Sequence, residues 1–207
     1  MIQEVVALID CSGSMHGKES DTIGGINSTI EELINYKIED ETINFSLKFF
    51  SDNEYLKIKS MNIMDIQKLK SDDLKPLGST ALLDAMGNTL SYFISRKKNN
   101  INAFDTCIIY VATDGLENNS KEFNHDDIKN LINEAQKYSI EVLYLGSNQD
   151  AILEGKKIGL NISNSLNYSE TEHNVLSAHR SVARVAKRMR SGEKVEFNYL
   201  ERTMSAK

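Results

Sequence analysis

The chain has 207 residues, 40% of them hydrophobic and 26% charged, with a formal net charge of -6, which fits one globular domain with a sizeable core and a tail. That acidic balance argues against nonspecific nucleic-acid binding as the main task, because a phosphate-binding face normally shows in the overall charge. No apolar run approaches the ~18 residues that span a bilayer, and Met1 leads into a strand-like run rather than a basic leader with an apolar core, so a cytoplasmic setting is expected. With only Cys11 and Cys107 present, two buried thiols are expected rather than a disulfide framework.

Apolar runs of strand length alternate with helical periodicities, the pattern of an α/β sheet with helices on both faces. Residues 5–10 read as the first strand, and 22–36 as a helix with Ile23, Ile26, Ile30, Leu33 and Ile34 on one side. Residues 42–50 and 53–59 flank Ser51-Asp52 and predict a hairpin that supplies one antiparallel edge strand, its lysines suiting an exposed edge. Residues 63–74 form a polar, short helical connection, and Pro76 stops any helix before Gly78-Ser79-Thr80. A helix follows over 81–95, then a continuously apolar central strand over 106–113, a helix over 126–138 and a strand over 140–145. Residues 151–158 predict a short helix, 161–167 a weak last strand, and 169–190 a long last helix opened by a Ser169-x-x-Glu172 capping box. The expected domain is 1–190, with a tail over 191–207 after the Ser191-Gly192 linker. In that tail Val195 to Leu200 alternates like a strand that adds to a sheet edge, or wraps the domain as an apolar strap.

Three oxygen clusters stand where core elements end: Asp10-Cys11-Ser12-Gly13-Ser14, Gly78-Ser79-Thr80 and Thr113-Asp114-Gly115. Magnesium prefers near-octahedral oxygen ligands, held by one or two carboxylates with waters left in place. Ser12, Ser14 and Thr80 offer neutral hydroxyls, and Asp10 and Asp114 offer charge, directly or through water. Gly13 and Gly115 keep side chains away and let the loops turn. Singly, each cluster also reads as a capped turn; three of them at the exits of core elements make a metal site the better reading.

These residues resemble the von Willebrand factor A family and its metal-ion-dependent adhesion site, whose aspartate-x-serine-x-serine loop, later threonine and later aspartate are matched by Asp10, Ser12, Ser14, Thr80 and Asp114. The segments Thr22-Ile23-Gly24-Gly25-Ile26-Asn27 and Leu145-Gly146-Ser147-Asn148-Gln149-Asp150-Ala151 are further similar to small stand-alone microbial and phage A-domain proteins of the tellurite-resistance kind. The resemblance implies a doubly wound, Rossmann-like three-layer fold with a mostly parallel six-stranded sheet of order 3-2-1-4-5-6. The strands ending in Asp10 and Asp114 then meet at the topological switch point, where such sheets bind ligands. It also implies magnesium, with manganese or calcium as alternatives, and a partner protein whose Asp or Glu completes the coordination. The setting would be the cytoplasm or, for a phage protein, the virion.

Glu117, Asn118, Asn148, Gln149 and Asp150 leave strands on the side of the metal loops and read as second-sphere or partner-rim residues, or as simple caps. Asp84, one turn beyond Thr80, reads as orienting that loop or as an exposed or ion-paired face. The histidines show no zinc spacing. Arg180, Arg184, Lys187, Arg188 and Arg190 read as a solvated basic face. The leading function is a non-enzymatic, magnesium-dependent adaptor. Its rivals are a structural component of a phage particle or defence assembly, and a metal-assisted phosphoryl-transfer or hydrolytic enzyme. An Asp-x-Asp phosphoryl mechanism would need a carboxylate where Ser12 stands, and a serine nucleophile would need a base that only His125 could supply.

Overall fold

A computed structural model describes residues 1–147 and 151–206. Six strands, β1 (Ile2–Asp10), β2 (Thr42–Phe50), β3 (Glu54–Asn62), β4 (Thr106–Thr113), β5 (Ile140–Ser147) and β6 (Ser165–Tyr168), form one sheet in the order β3-β2-β1-β4-β5-β6. All neighbours are parallel except β3, which runs antiparallel to β2 at the edge. Order and edge strand are those expected from the sequence.

Six helices cover the sheet: α1 (Glu19–Asn35), α2 (Leu82–Asn99), α3 (His125–Gln136), α4 (Ala151–Lys157), α5 (Glu172–Arg190) and α6 (Tyr199–Ala206). Because side chains alternate along a strand, β1 feeds both layers. Val5, Ala7 and Ile9 pack with Ile26, Leu33 and Val182 of α1 and α5, while Val6 and Leu8 pack with Met86, Leu90 and Ile132 of α2 and α3. A strand covered on both faces has no solvent side, which is why β1 reads as a continuous apolar run.

Several local expectations are corrected. The 63–74 connection consists of two single 3-10 turns, Ile63–Asp65 and Ser71–Asp73. The weak strand expected at 161–167 is a 3-10 turn, Ile162–Asn164, followed by the four-residue β6. The last helix is capped by Thr171, whose hydroxyl accepts from Asn174 N–H at 3.3 Å; Ser169 instead donates its N–H to the carbonyl of Ser205. The basic face of α5 is solvated only in part: Arg180 and Lys187 are exposed, but Arg188 makes a forked pair with Glu201 at 3.0 and 2.8 Å, and the Arg190 side chain, 2% exposed, meets Glu41 at 3.0 Å and the Tyr36 carbonyl at 3.2 Å.

The tail is not a strand. Phe197 is buried, with Val195 packed against the same α1–α5 core, and Phe197 N–H donates to the Ser163 carbonyl at 2.8 Å. Asn198 then caps α6 reciprocally: its side chain accepts from Glu201 N–H at 2.9 Å, and Glu201 accepts from Asn198 N–H at 2.8 Å. This short helix buries its polar residues Glu201 and Ser205 and leaves Tyr199, Leu200 and Met204 exposed.

Where α1 crosses α5, Gly25 leaves room for His179, because a Cβ at Gly25 would lie 2.5 Å from the imidazole. The ring stacks edge-on to Tyr110 at 5.8 Å, and among the described residues neither ring nitrogen has a hydrogen-bond partner. Burial pushes its pKa down from 6.5 to about 4. Between those values the unfolded chain binds a proton that the folded chain does not, so stability present above pH 6.5 is lost as pH falls through the window, by about 3 kcal/mol in total. His179→Leu should equal or exceed wild-type stability at neutral pH, since it removes polar atoms that lack partners. Urea unfolding across the window should then show a shallower acid loss; an unchanged slope in the variant would exclude His179 as its source.

Candidate metal centre

Asp10 ends β1 and Asp114 follows β4, and the register that sets Ile9 against Ala112 delivers both carboxylates to one crevice. Asp10 is fully buried; its Oδ1 accepts from Ser12 N–H at 2.7 Å and its Oδ2 from the Thr113 hydroxyl at 2.6 Å. The Ser12 and Ser14 hydroxyls lie 3.1 Å apart, and Ser14 donates to Asp114 Oδ1 at 2.6 Å.

The third loop is laced to the first. Gly13 N–H donates to the Gly78 carbonyl at 2.9 Å and Leu77 N–H to the Cys11 carbonyl at 2.8 Å. Gly78 has φ +83, and a Cβ there would lie 2.3 Å from Asp52 Oδ2, so the loop passes only with glycine. Asp52 in turn accepts from Ser79 N–H at 3.0 Å and from the Asn119 amide at 2.7 Å. Thr80, 3% exposed, is fixed by a two-way bond with Asn118: Thr80 N–H to Asn118 Oδ1 at 2.9 Å, and Asn118 N–H to the Thr80 carbonyl at 3.1 Å.

Whether these donors fit a cation can be judged at Gly115. A Cβ built there would sit 3.3 Å from Thr80 Oγ1, 3.6 Å from Ser14 Oγ and 3.9 Å from Asp10 Oδ2. Oxygens from different loops thus border one small space that a methyl group would intrude on. Burial pushes the Asp10 carboxyl above its ordinary value; hydrogen bonds from Thr113 and Ser12 oppose the rise, and the charge of Asp114 adds to it. Buried oxygen with unbalanced negative charge suits a hard cation. Among the described residues no three His, Cys, Asp or Glu side chains cluster as a metal site; the oxygens that the loops bring together here are the carboxylates of Asp10 and Asp114 and the hydroxyls of Ser12, Ser14 and Thr80.

Of the other expected residues, Asp84 and Glu117 turn toward backbone. Asp84 accepts from the N–H groups of Lys121, Glu122 and Phe123 at 2.8, 2.9 and 2.9 Å. Glu117 accepts from Leu83 N–H in the first turn of α2 at 2.9 Å, where the helix end favours a carboxylate, and from Asn119 and Ser120 N–H at 2.9 and 2.7 Å. They brace the loops rather than face the crevice. Asn148, Gln149 and Asp150 lie outside the described residues.

Two participants were not foreseen. Lys18, just before α1, places its ammonium 2.5 Å from Asp114 Oδ2 and also on the Glu170 carboxylate, which precedes α5. Burial would lower the Lys18 pKa, but its bonds to Asp114 and Glu170 prevail and hold it above the ordinary lysine value. Lys18 lies four residues beyond Ser14, and Glu170 is a long way off in sequence; only the folded loops join them.

The family model of the von Willebrand factor type A domain matches residues 4–192. Among curated protein sequences none matches. Solved structures do. Proximal thread matrix protein 1 from the mussel byssus superposes with TM-score 0.66 at 15% identity, over 90% of this chain and 46% of that one. A form of the same mussel protein with a zinc-occupied MIDAS motif gives TM-score 0.62 at 14% identity, over 89% and 46% of the two chains. The vWF domain of the type V pili tip protein Mfa5 from Porphyromonas gingivalis gives TM-score 0.64 at 12% identity, over 93% and 96%. The chain therefore spans under half the length of the mussel protein, and at these identities the likeness establishes the shared fold.

Gly115→Ala tests the space between the donors. The added methyl should weaken divalent-cation binding by about tenfold or more in calorimetric titration, with little change in melting temperature. Unaltered affinity in the folded variant would show that the cation does not use that space.

Proposed function

Because its family model matches residues 4–192, the chain belongs to the von Willebrand factor type A domain family, and we propose that it is a non-enzymatic, magnesium-dependent protein-binding module. The observation that carries this reading is the set of hydroxyl and carboxylate oxygens from Ser14, Thr80 and Asp10 around the space at Gly115. Asp10 and Asp114 supply the charge, Ser12, Ser14 and Thr80 the neutral oxygens. Magnesium bound among them supplies an electrophilic position for a partner's Asp or Glu carboxylate. Ser14 and Lys18 hold the two Asp114 oxygens in place, and Asn118 holds Thr80 by its backbone on both sides.

The serine environments favour binding over catalysis. Ser14 spends its proton on Asp114 and Ser12 faces Ser14, while among the described residues no histidine bonds either hydroxyl. A general base within hydrogen-bond reach is the first requirement of a serine nucleophile. The structural neighbours point the same way, being a byssus matrix protein and the domain of a pilus tip.

Calorimetry and partner capture test the reading together. Wild-type protein should bind magnesium, and Asp10→Ala/Ser12→Ala should not, while circular dichroism shows both folded. From host lysate, a partner should be retained by wild type in magnesium and lost in EDTA and in the double variant. Undiminished magnesium binding by the double variant, or one partner held under all three conditions, would overturn it.

A further inference from the structure

Away from the metal loops, on the α2 side of the sheet, a cavity of about 300 Å³ opens between α2 and the β2–β3 edge. Its volume is at the small end of the range for ligand sites. Val6 and Phe93, both nearly fully buried, lie at its base, and Leu56 and Tyr92, 46% and 49% exposed, stand at its margin.

The edge strand is deformed where it lines this cavity. Phe45 pairs with Met61 and Leu47 with Ile58, so Lys59 and Ser60 together oppose Ser46 alone; a second irregularity follows before Lys48 pairs with Leu56. Bulges of this kind re-aim side chains. Leu56, Lys59 and Ser60 all line the cavity, whereas Ile58 packs in the core on the opposite face. Ser60 has φ 42, an unfavourable conformation for a residue with a Cβ, and is held there by its N–H bond to Ser46 Oγ at 2.9 Å and its hydroxyl bonds to buried Glu4 at 3.0 Å.

The polar lining has unused capacity of one kind. Lys48 is paired with Glu54 at 2.5 Å and also bonds Thr89 Oγ1 at 3.1 Å. Among the described residues no carboxylate lies within ion-pair distance of the Lys59 ammonium. Ser46 and Thr89, buried at 5% and 3% exposure, each accept a hydrogen bond, from Ser60 N–H and Lys48, and neither hydroxyl proton has an acceptor among the described residues. A hydroxyl carries one proton to donate besides its acceptor capacity. The cavity thus offers two buried O–H donors, one uncompensated cation and an apolar body.

From this we infer that the cavity binds a small amphipathic monocarboxylate, its head toward Lys59 and the Ser46 and Thr89 hydroxyls and its short apolar chain against Val6, Leu56 and Phe93. A single negative charge matches because Glu54 already offsets Lys48. The site shares no residue with the metal loops and does not rest on the magnesium reading.

The test is an amide NMR titration of the full chain with octanoate below its micelle concentration, with octanol and octylammonium as controls. Octanoate should produce saturable shifts centred on Ser46, Ser60, Thr89 and Tyr92, and bind about tenfold or more tighter than either control. Lys59→Glu and Thr89→Val should each weaken it while the spectrum stays folded; Lys59→Met replaces the former if the charge reversal perturbs the fold. Asp10→Ala should leave octanoate affinity unchanged. The inference fails if no saturable shifts appear in this cluster, if octanol or octylammonium binds as tightly, or if loss of the Lys59 charge leaves the affinity unchanged.

Discussion

Two carboxylates brought together by strand pairing set the terms for the loops around them. β1 and β4 are central, buried and parallel, and their register places Asp10 and Asp114 at the same end of adjacent strands. Burial of negative charge costs free energy unless it is paired or hydrogen-bonded. The local response is visible atom by atom: Thr113 and the Ser12 N–H on Asp10, Ser14 and Lys18 on Asp114. Burial holds the Asp10 carboxyl above its ordinary value in spite of the hydrogen bonds from Thr113 and Ser12. On the proposed reading a cation would complete what they leave, and the chemistry of the site would then follow from the sheet topology.

Other carboxylates near the crevice have a different job. Asp52, Asp84 and Glu117 collect backbone N–H groups that the sheet and helices cannot satisfy. Charge-assisted bonds of this kind are roughly twice as strong as neutral ones, and each joins segments far apart in sequence. The long 114–124 connection, which has no regular structure, is therefore held by side chains, and Thr80 inherits its position from that bracing. Removing Asp84 or Glu117 would act on the site through the loops, without touching the donors themselves.

How far the sequence reveals this depends on the range of the interaction. The strands were legible because apolar runs mark buried elements, and Asp10 and Asp114 stand directly at the ends of two of them; the strand order and the place of Thr80, which precedes a helix rather than ending a strand, were legible only through the family resemblance. Lys18, Glu170 and Asp52 were not legible, since nothing local marks a charged residue whose partners lie on other loops, 96 and 152 residues away for Lys18 and 27 and 67 for Asp52. The tail shows two local signals in conflict. Val195 and Phe197 alternate because they are true anchors in the core, but the Asn198-x-x-Glu201 capping box right after them starts a helix. The alternation was real; its extension into Leu200 was not. Similarly, Ser169 and Thr171 both suit a helix cap, and the contact of Ser169 with the end of α6 decides between them.

The two sheet edges are protected by different means, and the difference explains where the free surface lies. An unpaired strand edge invites pairing with another chain. Beside β6, the tail crosses from Ser163 to Ser169, and the neighbouring Glu170 reaches Lys18, so the strap and the metal crevice share one continuous line of contacts. At β3, protection comes from exposed lysines, one of them paired with Asp73 of the 63–74 connection, and from two breaks in register that spoil a regular template. Those breaks carry a backbone cost at Ser60, offset by its bonds to Ser46 and Glu4. They also turn extra side chains toward α2 and leave the space between them unfilled. The cavity is thus a geometric consequence of how an antiparallel edge is blunted, and its lysine and hydroxyl lining is what makes that space chemically selective.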